Sequence, residues 1–249
     1  MISVCMTTYK GEKFREEQIT SIKKNIKSTD QFIISEDGED EAFLEQLRMS
    51  EGNIVPMKGP GCGVVANFEY ALSHAKGDII FLSDQDDVWT DDKVQTVLNV
   101  FETSNCVLVV HDADLMDGDG EQIEESFYAI RGSRAGIWKN IWKNSYIGCC
   151  MAFRKELLEY ALPFPTTGTL HDQWLGLLAE QMGDVIFIED KLLHYRRHGE
   201  NVSGMKHLPV ADMLYNRISL CLALLKRKLR GVKKYHPYTV EEVKARWKH

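Results

Sequence analysis

The chain has 249 residues, 44% hydrophobic and 27% charged, which suits one large α/β domain with its own core and gives no composition break that would divide it in two. The six cysteines (Cys5, Cys62, Cys106, Cys149, Cys150, Cys221) include no C-x-x-C pair, which argues against zinc and redox frameworks and leaves buried thiols in a reducing compartment as the expectation. A net charge of −7, with nine Lys or Arg against two Glu from Lys226 onward, leaves an acidic body unsuited to nucleic acid and a separate basic tail.

Ile2–Thr7 reads as a buried strand that starts without a basic leader, so no secretory signal is expected and the cytoplasm is the expected location. A helical stretch runs from Lys13 to about Lys27, then Gln31–Ser35 is apolar, Ala42–Met49 is a short helix and Asn53–Met57 a strand. Gly59-Pro60-Gly61-Cys62-Gly63 is a loop, and Val64–Ala75 has helical spacing. Ile79-Ile80-Phe81-Leu82 is a strand that leads directly into Asp84. Strands alternating with helices imply a mostly parallel sheet covered on both faces, whose ligands bind at the carboxyl ends of the strands. Further on, Cys106–Val110 and Tyr146–Phe153 read as strands, with Gly148 where a side chain would crowd a ligand. Asp172–Met182 has helical spacing, and Asp184–Glu189 and Leu192–Arg197 read as strands. Near the end, Met213, Leu214, Ile218, Leu222 and Leu225 recur at helical spacing before Lys226-Arg227-Lys228-Leu229-Arg230. That pattern fits a packed helix with a solvated basic end, or a surface resting on anionic lipid; the apolar run Ile218–Leu225 is too short to span a bilayer.

Chemistry concentrates first in Asp84-Gln85-Asp86-Asp87-Val88-Trp89. Its closely spaced carboxylates repel one another unless a cation neutralises them, and hard oxygen ligands at a strand end suit Mg²⁺ or Mn²⁺ bridging to a diphosphate. The alternative is a solvated acidic turn capping the helix that begins near Thr90. Asp172, ahead of an amphipathic helix, is placed as an N-cap. Trp174 offers either a flat apolar face to a sugar or a core side chain. Arg196 and Arg197 carry guanidinium groups that match phosphate oxygens. Paired carboxylates also serve glycoside hydrolases, which need no such cluster, and Thr7-Thr8-Tyr9-Lys10-Gly11 lacks the Gly-rich phosphate loop of a nucleotidyltransferase.

Taken together, these segments resemble family 2 glycosyltransferases of the GT-A fold, closest in pattern to rhamnosyltransferase-like bacterial members. The resemblance runs from Val4-Cys5-Met6-Thr7-Thr8-Tyr9-Lys10-Gly11 through Ser35-Glu36-Asp37-Gly38, Gly63-Val64-Val65-Ala66-Asn67-Phe68 and the Asp84 cluster. It continues through Gly148–Arg154 and His171-Asp172-Gln173-Trp174 to Tyr195–Gly204, spanning about Ile2 to Gly204. It implies a GT-A domain over 1–205, with a nucleotide-binding half over 1–112 and an acceptor half over 113–205, followed by a basic helical extension over 206–249. It also implies an inverting, metal-dependent transfer from a nucleotide sugar, dTDP-rhamnose or a UDP-sugar, to a saccharide or lipid-linked acceptor in surface polysaccharide synthesis. By resemblance, Thr7, Tyr9, Asp37, Asn67, Asp84 and Asp86 bind the nucleotide sugar, Asp86 and His198 hold Mn²⁺ or Mg²⁺, and Asp87 orients the loop. Asp172 is then the catalytic base, with Asp114 the next candidate, and Trp174 meets the acceptor. Glu36 stands where the family usually carries a second Asp. Peripheral contact with the inner face of the membrane through the basic tail is the remaining partner expectation. A non-catalytic nucleotide-sugar-binding subunit is the competing reading, opposed by the intact Asp86 and Asp172.

Overall fold

The computed structural model describes residues 1–50, 52–166, 168–198 and 209–248. Its first half alternates strand and helix as the periodicity requires: β1 (Ile2–Thr8), α1 (Arg15–Asn25), β2 (Gln31–Glu36), α2 (Glu41–Met49), β3 (Ile54–Lys58), α3 (Val64–Ser73) and β4 (Ile79–Ser83). A two-residue strand β5 (Val88–Trp89) and α4 (Lys93–Thr103) follow. The second half contains β6 (Leu108–Met116), β7 (Gln122–Glu124), α5 (Phe127–Arg131), α6 (Ile137–Trp142), β8 (Met151–Arg154), α7 (Glu156–Ala161), α8 (His171–Met182), β9 (Val185–Arg196), α9 (Val210–Arg230) and α10 (Val240–Trp247).

These strands form one sheet in the order β3-β2-β1-β4-β8-β6-β9-β5, with β7 paired to β6. From β3 to β4 every pair is parallel, and β1, β2 and β4 are buried along almost their whole length, as a sheet covered by helices on both faces demands. Beyond β4 the sheet is mixed: β8 runs against both β4 and β6, while β6 and β9 are parallel. The two expected strands Asp184–Glu189 and Leu192–Arg197 are one strand, β9, whose register against β6 shifts between His111 and Asp112 and again before Asp114. Those shifts add residues to β9 and re-aim its far end toward the carboxyl ends of β1 and β4. The expected strand over Tyr146–Phe153 begins instead as a 3-10 turn at Gly148–Cys150. There the backbone folds around a side chain: a Cβ on Gly148 would lie 2.7 Å from Nε2 of the buried His171, so this glycine makes room for His171 and not for a ligand.

The C-terminal segment is built into the fold more deeply than a basic tail would be. In α9, Leu220, Leu224 and Arg227 face inward, whereas Leu214, Ile218, Leu222 and Leu225 are exposed, the reverse of the packed-helix expectation. Arg227 donates Nη1 to the Tyr160 and Leu162 carbonyls (2.9 and 2.7 Å) and Nη2 to that of Pro163, with its guanidinium 5.2 Å from the Trp174 ring centroid. Removing it takes the guanidinium from the Tyr160 and Pro163 carbonyls and leaves that of Leu162 to Arg230 alone, so Arg227→Ala is expected to cost about 2–4 kcal/mol of stability in urea melts, while Lys226→Ala next to it, exposed, changes little. Helix α10, opened by a Thr239–Glu242 capping box, lays Val243 against Ala66 and Tyr70 of α3. Trp247 Nε1 donates to Glu69 at 3.1 Å, and Arg246 pairs with the same carboxylate. Five cysteines are buried or half-buried as expected; Cys221 is exposed. Among the described residues no helix is long and apolar enough to cross a membrane.

Candidate functional site

The carboxyl ends of β1, β2 and β4 point the same way because the strands are parallel, which gathers their trailing loops along one edge of the sheet. The β1 and β4 loops are tied by Gln85. Its Oε1 accepts the Tyr9 amide at 2.7 Å and its Nε2 donates to the Tyr9 carbonyl at 3.0 Å. Gly11 is needed for this approach, since a Cβ there would lie 2.3 Å from Gln85 Oε1. Thr8 donates its hydroxyl to Glu36 across the β1–β2 boundary.

A cleft of about 660 Å³ opens over β1 and β2, lined by Tyr9, Asp37, Gly38, Lys58 and Gly61 and closed on one side by Lys244 of α10. Of the side chains expected to seat a nucleotide, Tyr9 is exposed, and Thr7 is buried at the end of β1. Asp37 accepts the Gly61 and Gly63 amides, at 2.7 and 2.8 Å, and so holds the Gly59–Gly63 loop against the cleft. Burial raises the Asp37 pKa, opposed by those amides and by Lys244. Asn67 does not line the cleft. It is buried beneath the same loop, with its amide exchanging both bonds with Ser35: Oδ1 accepts the Ser35 hydroxyl at 2.6 Å and Nδ2 donates to its carbonyl at 2.9 Å.

The acidic cluster follows β4. Burial, then the charges of Asp86 and Asp172, lift the Asp84 carboxyl to about 7. Asp87 is buried and held well above the usual carboxylate range by burial and by Asp86 and Asp84; its Oδ1 accepts the Arg196 amide at 3.1 Å, and its Oδ2 has no hydrogen-bond partner. Asp86 Oδ2 lies 2.8 Å from Nε2 of His198, whose ring packs 5.0 Å from Phe14. Arg196 is fixed here rather than offered to solvent, with Nε on the Asp86 carbonyl at 2.9 Å and Nη2 on Glu17 at 2.6 Å; Arg197 is exposed. The loop from Gly199 to Gly204 lies outside the described residues. Acidic oxygens from Asp84 and Asp87 also converge with Cys149 Sγ, all within 4.8 Å. Burial first, then the neighbouring Cys150 and the Asp87 charge, raise the Cys149 pKa, and a soft sulfur is a poor partner for a hard ion beside carboxylate oxygens. Mutually repelling carboxylates, a buried oxygen without a partner and an adjacent imidazole are groups that could hold a divalent cation.

Sequence reasoning missed the counter-charge. Lys93, the first residue of α4, is fully buried, with Nζ 2.8 Å from the Cys149 carbonyl and 4.0 Å from the Trp89 ring centroid. Burial pulls its pKa down to about 8, opposed by the Cys150, Cys149, Asp87 and Asp84 charges, and its own charge in turn opposes the rise at Asp84. A lysine in the first turn of an amphipathic helix gives no sign from sequence that it points inward.

Asp172 sits in the first turn of α8, one residue inside the helix; the cap position belongs to Leu170, which supplies no side-chain bond. Its carboxylate accepts the Gln173 amide (2.6 Å) and the Asn144 side-chain amide (3.3 Å), and burial lifts its pKa to about 6 against those two bonds. Asp114, the second candidate base, lies inside β6 and accepts Nδ1 of His194 at 2.7 Å. Trp174 is a core residue, 1% exposed, with Nε1 bonded to the Ala161 carbonyl at 3.0 Å; the expectation that it meets an acceptor is corrected by burial on the inner face of α8. The exposed tryptophans on that side are Trp138 and Trp142 of α6.

The profile of the family described as "Glycosyl transferase family 2" matches residues 3–161. The chain is 32% identical over 226 residues to the dTDP-rhamnosyl transferase RfbG of Shigella flexneri, covering 80% of this chain and 73% of that protein. It is 21% identical over 248 residues to the UDP-Glc:alpha-D-GlcNAc-diphosphoundecaprenol beta-1,3-glucosyltransferase WfgD of Escherichia coli, covering 94% and 95%. Against an uncharacterised glycosyltransferase of Nostoc it is 25% identical over 211 residues and covers 80% of this chain and 66% of that one. Among solved structures, residues 1–349 of S. aureus TarS in complex with UDP-GlcNAc superpose with a TM-score of 0.69 at 14% identity, over 99% of this chain and 71% of that one, a likeness of fold and specifically of the GT-A architecture.

Proposed function

Since the chain belongs to glycosyl transferase family 2, we propose that it is an inverting, metal-dependent transferase moving a sugar from a nucleotide-sugar donor to a saccharide or lipid-linked acceptor in surface polysaccharide synthesis. The geometry that supports it most is the Gln85 clamp, which holds the Asp84–Asp87 cluster at the end of β4 beside Tyr9 at the end of β1. In this reading the donor's nucleoside lies over Tyr9 and Asp37, with Thr7 and Asn67 shaping the seat from behind. Asp84 meets the ribose. Asp86 and His198 would hold Mn²⁺ or Mg²⁺, which when bound neutralises diphosphate charge.

Asp172 is the base. It takes the proton of the acceptor hydroxyl as that oxygen bonds to the anomeric carbon, while the bond to the nucleoside diphosphate breaks on the opposite face and its electron pair leaves with the diphosphate. A carboxyl lifted to about 6 by burial remains ionised at neutral pH and is more basic than a free aspartate, which suits proton abstraction. The relative named for dTDP-rhamnose and the one named for UDP-Glc support a dTDP- or UDP-sugar as donor. Calorimetric titration with dTDP-, UDP- and GDP-sugars plus Mn²⁺ tests the reading. It expects metal-dependent binding of at least one dTDP- or UDP-sugar and release of the nucleoside diphosphate; binding of none of them in metal would defeat it.

A further inference from the structure

The exposed face of α9 carries an apolar stripe that the domain does not use. Tyr215, Ile218, Leu222, Leu225 and Leu229 are each at least 52% exposed, lying opposite the inward-facing Leu220, Leu224 and Arg227. Helix α6 lies against α9, where Arg217 stacks over Trp142 at 4.4 Å and donates to its carbonyl at 2.8 Å. Trp142 is 70% exposed and Trp138, one turn earlier, 82%. Two tryptophans and a leucine-rich stripe in water form a contiguous unsatisfied surface of the kind that marks an interaction site.

The charge around the stripe selects what covers it. From Phe127 to Lys143 there is no acidic residue, and from Pro209 to Thr239 there is only Asp212. Lys143, Lys226, Lys228, Lys233 and Lys234 are exposed along this rim, on a chain whose overall charge is −7. A second copy packed on the same stripe would bring these lysines near one another, with Asp212 the one acid of these two segments, Glu180 already bonded to Gly136 and Tyr146, and Glu159 beside Lys233, so like charges would oppose the pairing. A surface with an apolar interior and an anionic skin satisfies both features, and interfacial tryptophans beside lysines are the composition that such boundaries favour.

We infer that the Trp138–Trp142 edge of α6 and the Tyr215–Leu229 stripe of α9 form a docking face for an anionic lipid bilayer. The face adjoins the start of α8 that carries Asp172. Asn140 of α6 accepts Gln173 Nε2 at 2.7 Å through its carbonyl, and Asn144, just past the helix, bonds Asp172. Docking therefore brings the base toward the plane where a lipid-carried hydroxyl would be presented. This last step rests on the proposed transfer; the docking itself does not.

Sedimentation with vesicles of phosphatidylglycerol and phosphatidylcholine, against phosphatidylcholine alone, tests the face in the full chain. The wild type is expected to sediment with the anionic vesicles, less so at high salt, with a blue shift of tryptophan emission on binding. Trp138→Ser/Trp142→Ser and Leu222→Gln/Leu225→Gln/Leu229→Gln are each expected to weaken vesicle binding by about tenfold or more, and Lys226→Gln/Lys228→Gln/Lys233→Gln to remove its salt dependence. All of these side chains are exposed, so circular dichroism melts should stay close to wild type, the Trp142 variant losing only the Arg217 stack, and donor binding should persist. No sedimentation with anionic vesicles, equal binding by the stripe variants, or a stripe-dependent dimer in gel filtration without vesicle binding would overturn the inference. Loss of transfer to a water-soluble acceptor would count against the proposed function instead.

Discussion

Asp172→Asn is expected to reduce sugar transfer by about 10²–10⁴-fold while leaving donor affinity close to wild type. Asparagine keeps an oxygen that can accept the Gln173 amide but loses the charge that would take the acceptor proton. Burial raises this carboxyl to about 6, so its neutral form is favoured in the fold; the associated stability is present at low pH and is lost as pH rises through about 6. Above that range the charged group is a cost, and the neutral amide removes it, so the variant should melt at or above the wild-type temperature at neutral pH. In the wild type, turnover should climb as pH rises through about 6 and then level off. Wild-type transfer by the variant would move the base elsewhere; unfolding would make the Asn144 and Gln173 bonds its main role.

Asp86→Ala is expected to lower Mn²⁺-dependent nucleotide affinity by about 100-fold or more with the fold intact. The residue is only half-buried, and the neighbouring Arg196 keeps its bonds to Glu17, to the Asp87 carboxylate and to the backbone carbonyl of residue 86. His198→Ala should move in the same direction, because its ring meets the same carboxylate oxygen. Titration of the nucleoside diphosphate with and without Mn²⁺ measures both. Undiminished metal-dependent binding in Asp86→Ala would remove the metal from this carboxylate.

What the sequence made legible was local. The β1-to-β4 alternation, the strand-end position of Asp84 and the helix carrying Asp172 each follow from periodicity and punctuation within a short window. The rest depends on contacts between distant segments. Gln85 meets Tyr9 across 76 residues, and Trp247 meets Glu69 across 178, so neither the loop clamp nor the seat of α10 leaves a local pattern. Trp174 was open between sugar platform and core because an aromatic two residues after a base suits both, and only the fold puts α8's inner face over Ala161. Helix α9 misled for a related reason. Helical spacing reports that apolar residues share a face, but not whether that face meets protein; here the domain takes Leu220, Leu224 and Arg227 and leaves the longer stripe outside. Arg227, read as part of a solvated basic end, is instead an anchor into three carbonyls.

The Gln85 clamp has a thermodynamic side. It joins the loop after β1 to the loop after β4 through an uncharged amide that gives and receives one bond each. Such a link carries no charge, so it neither titrates nor weakens with ionic strength. The gap between Tyr9 and Asp86 is thus a fixed gauge set during folding. A molecule long enough to touch both ends finds them already spaced, and the entropy of arranging two mobile loops is not charged against its affinity. A molecule that reaches only one end gains nothing from that spacing.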